Sequence, residues 1–134
     1  MSGTEIAFYG LIFWQLIMLF SLATYRCTQA LKGKMPAGGF SPFGNGGKDL
    51  ETRITRAHAN CYENIPLFAV VLAASYFAGK SQLTDGYAQV LLGARVAQSL
   101  IHIMSTSQNA ITVRFIAYLV QIICLVMMLF TLIF

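Results

Sequence analysis

The sequence predicts an all-α membrane protein: a single domain over residues 1–134, folded as a four-transmembrane-helix bundle that runs up-down-up-down. Three observations predict it. Hydrophobic residues make up 57% of the chain and charged residues only 10%, where an ordinary soluble domain carries roughly 25% charged residues. The apolar residues come in four long blocks rather than at the period of one helix face or of a strand. The later links between blocks are short, which makes neighbouring helices antiparallel. This composition excludes a disordered chain and argues against a soluble globular one.

The blocks cover about residues 6–31, 60–78, 87–104 and 111–134. Each can supply the ~20 residues that a helix needs to cross a bilayer core, and none alternates as a barrel strand does. The first is long for a cleavable signal segment and lacks a basic start and a small-residue end, so it is expected to stay as a helix. Residues 32–50 hold six of the eleven glycines and two of the three prolines, the composition of a mobile loop. Gly39 and Gly44 are followed by Asn45, so a phosphate-binding loop is not met there. Residues 79–85 and 105–109 read as tight turns.

Charge sets the expected orientation. Arg26, Lys32, Lys34, Lys48, Arg53, Arg56 and Arg114 cluster near the first and third links, whereas Lys80 stands alone at the second. The excess of cations places the first and third links in the cytoplasm and both termini on the other side. A bacterial inner membrane is the expected location. The net charge of +4 comes without a basic patch interleaved with aromatics, so no nucleic-acid partner is expected. Cys27, Cys61 and Cys124 are odd in number and widely spaced, which implies neither a disulfide framework nor a metal site.

The second helix carries the chemistry. Arg53, Arg56, Asn60 and Glu63 are spaced by three, four and three residues, so they form one polar stripe on one helix face. Counting 1.5 Å per residue back from Gly79, Glu63 lies about 24 Å from the outer end, inside the cytoplasmic edge of a ~30 Å core. A carboxylate and guanidiniums at that depth need partners or a water-filled cavity. The bland reading, a helix end whose arginines touch lipid phosphate, leaves Glu63 without a role. His58 points away from Arg56 and reads as structural, and Pro66 is expected to bend the helix beneath the stripe.

On the third helix Arg95, Gln98, Ser99 and His102 repeat the helical spacing, with His102 about 25 Å deep and Arg95 about 15 Å deep. Arg95 is therefore expected to reach Glu63. Arg114, Tyr118 and Gln121 share a face of the fourth helix, and Arg26 and Gln29 reach the same level on the first. Several guanidiniums around one carboxylate and one carboxamide suit a small zwitterion with two carboxylates and one ammonium. The apolar helix surfaces beside them suit a lipophilic second ligand. Composition and spacing end at that ligand class.

The run Arg56-Ala57-His58-x-Asn60-x-x-Glu63-Asn64-Ile65-Pro66, preceded by Arg53, resembles the second-helix signature of the MAPEG family. That family comprises microsomal glutathione transferases, leukotriene C synthase, microsomal prostaglandin E synthase and a non-enzymatic arachidonate-binding relative. Gly93-Ala-Arg95-Val-Ala97 and the long first loop extend the resemblance over the whole chain. It implies a homotrimer that binds glutathione between subunits near the cytoplasmic face. By that likeness Arg56, Asn60 and Glu63 hold glutathione, with Arg53, Arg95, His102 and Tyr118 beside them, and Arg114 is the catalytic arginine that stabilises the glutathione thiolate. Glutathione enters as co-substrate, a lipophilic electrophile or lipid hydroperoxide is the second substrate, and no metal is implied.

Three positions depart from the family pattern. His102 stands where a tyrosine usually packs on glutathione, Phe115 where the prostaglandin synthase has serine, and Gln29-Ala30 where leukotriene C synthase has a basic pair. A general detoxifying transferase or peroxidase therefore fits better than either specialised synthase. Two alternatives differ in class. A non-catalytic member of the fold, binding lipid or serving in a larger membrane complex, is opposed by Arg56, Asn60, Glu63 and Arg114 occurring together. A small multidrug exporter depends on an acid embedded in the first helix, whereas Glu5 lies at its extreme start.

Overall fold

The computed structural model describes residues 1–134 as four helices: α1 (Gly3–Leu31), α2 (Leu50–Phe77), α3 (Ser81–Met104) and α4 (Gln108–Ile133). Local chemistry sets the boundaries. Ser2 opens α1 with a capping box, its hydroxyl accepting from Glu5 N (3.2 Å) while the Glu5 carboxylate accepts from Ser2 N (2.7 Å), so two helix-start donors are satisfied reciprocally. Ser107 caps α4 through Ala110 N. At the other end of α2, Gly79 adopts φ +67°, a left-handed turn that lets Lys80 N reach back to Ser75 O at 3.0 Å.

The second helix starts at Leu50 rather than at the second apolar block, because a cap and not hydropathy begins it. Asp49 accepts from Thr52 N and from the Thr52 hydroxyl, the latter at 2.7 Å. That hydroxyl holds the Asp49 carboxyl below its ordinary value. A carboxyl so lowered stabilises the folded chain above about pH 4 and loses that contribution as pH falls through its own value. Pro66 lies inside α2, which continues through it as one element.

Hydrogen bonds between helices tell which ends meet. The C-terminal part of α1 meets the start of α2 through Arg26 and Glu51, a bifurcated ion pair at 2.8 and 3.1 Å. The starts of α1 and α3 meet through Thr4 N and Asp85 Oδ1 at 2.7 Å. Arg53 Nη1 donates to Met104 O at 3.1 Å, joining the start of α2 to the end of α3. Lys80 Nζ donates to Thr131 O and Leu132 O, joining the start of α3 to the end of α4. α3 contacts all three other helices, while α1 and α4 do not touch. Gly10 allows close approach of α1 to α3: a Cβ there would stand 2.7 Å from Leu92 Cδ2.

Ala7, Leu11, Met18, Phe68, Leu72, Leu91 and Met128 form the centre of the core. Only 28 of 134 residues are buried, so most apolar side chains face outward. Phe13 and Phe20 on α1, and Ile116, Ile123 and Phe130 on α4, are exposed. α1 and α4 are long and apolar enough to cross a membrane, with mean hydropathy 2.0 and 2.6. α2 and α3 do not meet that composition, although the sequence reading expects all four to span. Both are long enough, at 28 and 24 residues, and their polar stripes lower the average.

Candidate functional site

Asn60, Glu63 and Asn64 of α2, Gln98 and His102 of α3, and Ile111, Arg114, Phe115 and Tyr118 of α4 line one cavity of about 400 Å³. Small-molecule sites commonly run from about 300 to 1,000 Å³. The sequence brings these residues together in three steps. Asn60, Glu63 and Asn64 recur at three- and four-residue spacing on α2, so they share a face. Gln98 and His102 do the same on α3, as do Ile111, Arg114, Phe115 and Tyr118 on α4. The contacts of α2 and α3, and of α3 and α4, then set the three faces around one space.

A polar tie backs the cavity. Gln121 Nε2 donates to Gln98 Oε1 at 3.0 Å and to Ala117 O at 2.8 Å, so the Gln98 carboxamide is anchored from α4. Arg56 is exposed and lies outside the cavity lining, one turn before Asn60 on α2. Neither Arg56 nor Arg114 is bonded to an acid, since Arg26–Glu51 is the sole ion pair in the chain. A guanidinium without an acidic partner favours an anion beside it. Glu63 lies exposed on the same cavity and forms no ion pair, leaving its carboxylate open to a cation.

Of the eight residues that the resemblance assigns to the glutathione site, five line the cavity: Asn60, Glu63, His102, Arg114 and Tyr118. Three do not. Arg56 is exposed one turn before Asn60 on α2 and outside the lining. Arg53 satisfies the terminal carbonyl of α3 at Met104, one of the carbonyls that a helix end leaves without an internal partner. Arg95 is fully buried behind the wall.

The expected Arg95–Glu63 pairing is corrected. Arg95 Nη1 donates to Asn60 O and to Asn60 Oδ1, and its guanidinium lies 5.2 Å from the Phe68 ring centre. Glu63 faces the cavity instead, one turn further along α2. Asn64 joins Asn60 and Glu63 in the lining although the predicted stripe omits it, and its position four residues after Asn60 is the signal that places it. The Arg26–Glu51 pair has no such signal, because its partners stand on different helices across the glycine-rich loop.

Cys61 and Ser99 meet behind the same wall, Sγ to Oγ at 3.2 Å, and Trp14 Nε1 donates to the Ser99 hydroxyl at 3.1 Å. This contact stitches α1, α2 and α3 together beneath the cavity. No three His, Cys, Asp or Glu side chains converge anywhere in the chain.

The fold and cavity define a class: a four-helix membrane bundle with a cationic, amide-lined cleft between α2, α3 and α4. The chain belongs to the MAPEG family, whose pattern it matches over residues 6–134, essentially its whole length. No curated protein and no solved structure gives a significant match.

Proposed function

We propose that the chain is a membrane-bound glutathione transferase or peroxidase that joins the glutathione thiolate to lipophilic electrophiles or reduces lipid hydroperoxides. The observation that carries this reading is a cavity lined by Arg114 and by one free carboxylate, Glu63, with exposed Arg56 one turn before Asn60 on α2. Glutathione is a zwitterion with two carboxylates, one ammonium and a thiol. Arg56 suits a carboxylate, Glu63 the ammonium and Arg114 the sulfur. His102 and Tyr118 would flank the bound peptide. Arg53 and Arg95 support from outside the cavity.

A thiol of pKa about 8.5 is only a few per cent ionised at pH 7. A fixed guanidinium within about 4 Å favours the thiolate, and a site poor in water strengthens that field. In conjugation the thiolate sulfur forms a bond to the electrophilic carbon, and the leaving group departs with its electron pair. In the peroxidase reaction two glutathiones become a disulfide as the hydroperoxide gives alcohol and water. The apolar outer faces of the helices bring the second substrate from the lipid, and proximity then supplies much of the rate.

The assembly we propose is a homotrimer of up-down-up-down subunits with the 32–50 loop cytoplasmic, in a bacterial inner membrane. Exposed Arg56 and Glu63 are easier to satisfy when a neighbouring subunit closes the cavity. Native mass spectrometry in mild detergent is expected to give trimers, and a protein that stays monomeric at all concentrations overturns this assembly.

Purified protein is expected to release heat on titration with millimolar glutathione, and to turn over a chloronitrobenzene or a lipid hydroperoxide. Binding without turnover of either points to a non-catalytic member of the family, and absence of binding removes the reading. Glu63→Gln is expected to weaken glutathione binding about tenfold or more while thermal stability stays level or rises. An unpaired acid at that depth opposes folding until the ligand ammonium meets it. Loss of assembly with unchanged affinity would instead make Glu63 structural.

A further inference from the structure

Arg95 is fully buried, and no carboxylate meets it. A buried guanidinium is costly without acceptors around it. Its only hydrogen bonds run from Nη1 to the two oxygens of Asn60, main chain and side chain, while Nε and Nη2 have no partner. The carboxamide of Asn60 is therefore the one side-chain group that the guanidinium holds.

A carboxamide has an accepting end and a donating end of nearly the same shape, and its orientation must be argued from its partners. Here the partner decides it. A guanidinium only donates, so the atom facing Arg95 is the oxygen, and the nitrogen is turned the other way. Asn60 lines the cavity, and its Nδ2 makes no hydrogen bond within the chain. We infer that Arg95 is a positioning residue: from behind the wall it locks the Asn60 carboxamide with its NH2 group presented to the cavity, so that this part of the wall selects an acceptor on the ligand, a carboxylate or peptide carbonyl oxygen. This rests on the reading that the cavity takes glutathione, which offers both kinds of acceptor. Without Arg95 the amide is free to turn over and present either end.

The test is a double-mutant cycle read by calorimetric titration with glutathione, on wild type, Arg95→Met, Asn60→Ala and the two combined. Each single change is expected to weaken affinity about tenfold, the worth of one hydrogen bond to a charged acceptor. The double variant is expected to bind no more weakly than the weaker single one, since Arg95 acts through Asn60. Arg95→Lys keeps a group that only donates, and is expected to bind within about threefold of wild type. Losses that multiply to about a hundredfold in the double variant, or an Arg95→Met protein that binds as wild type does, overturn the inference. A role in folding alone gives the multiplying result, because it does not pass through Asn60.

Asn60→Asp supplies a second arm that does not depend on the folding of Arg95→Met. Its carboxylate is drawn into a pair with Arg95 and has no proton to donate to the cavity. The variant is expected to melt at or above the wild-type temperature while affinity falls about tenfold or more. Wild-type affinity in Asn60→Asp overturns the inference. A wild-type protein that gives no heat with glutathione removes the glutathione reading and this inference with it, whereas multiplying losses in a protein that binds remove only the inference.

Discussion

Arg114→Ala is expected to lower turnover about a hundredfold while glutathione affinity stays within about threefold. Arg56→Ala is expected to do the reverse, weakening affinity at least about tenfold with turnover at saturating glutathione nearly unchanged. The contrast follows from when each interaction is made. A guanidinium that meets a ligand carboxylate does so in both ground state and transition state, and removing it changes binding. One that meets the sulfur acts on charge present only after the thiol ionises. Arg114 reaches the cavity from the first turns of α4, next to Tyr118, whereas Arg56 lies outside its lining.

The thiolate absorbs in the ultraviolet, so titration of the glutathione complex reads the field directly. In Arg114→Ala that titration is expected to move up by about 1–2 pH units, because losing a nearby cation disfavours the anion. A titration that stays in place, with turnover within a few-fold of wild type, would reduce Arg114 to an anchor for lipid phosphate.

Glu51→Ala is expected to release the 32–50 loop. The Glu51 carboxylate holds Arg26, whose Nη2 also donates to Ser41 O at 2.6 Å and to the Thr55 hydroxyl, and whose guanidinium lies 5.4 Å from the Phe40 ring centre. Phe40 and Ser41 are loop residues, so one ion pair fastens the middle of the loop to the ends of α1 and α2. The pair is largely but not wholly shielded, with side-chain exposures of 23% for Arg26 and 11% for Glu51. Removing one partner of a fully buried pair costs about 3–5 kcal/mol, and solvent reduces that here to about 2. Cleavage by trypsin at Lys34 and Lys48 is expected to quicken about tenfold or more, since proteolysis follows the population of the opened segment. Cleavage at the wild-type rate would mean that the loop is held by other contacts.

The contents of the cavity are largely legible in the sequence, because spacing within a helix fixes the face that a residue shares. Asn60 with Glu63, and Arg114 with Tyr118, follow from helical period alone, and a rise of 1.5 Å per residue sets Glu63 level with His102. Pairing between helices is not legible. The sequence points Arg95 at Glu63, yet it meets Asn60 one turn earlier. Depth counted from a helix end is good to about a turn, and neither helix encodes its offset against the other. The sequence sets Arg26 level with the polar stripe and gives Glu51 no partner, and only the return of the chain through the glycine-rich loop brings the two together. The start of α2 differs from the hydropathy block for another reason: hydropathy reports where a helix is apolar, whereas the Asp49 cap decides where it begins.

The bond between Gln121 and Gln98 bears on biogenesis. A primary amide enters a hydrocarbon phase more easily once another amide is bonded to it. α4 is apolar enough to partition by itself, and α3 is not. Only Ser105, Thr106 and Ser107 separate α3 from α4, and Lys80 grips the far end of α4. The two helices are therefore expected to leave the translocon as a preformed hairpin, with α4 covering the Gln98 carboxamide of its predecessor. Glycosylation mapping of nascent chains is expected to find α3 integrated when α4 follows it, and largely translocated or retained outside the bilayer when the chain is cut before Ser107.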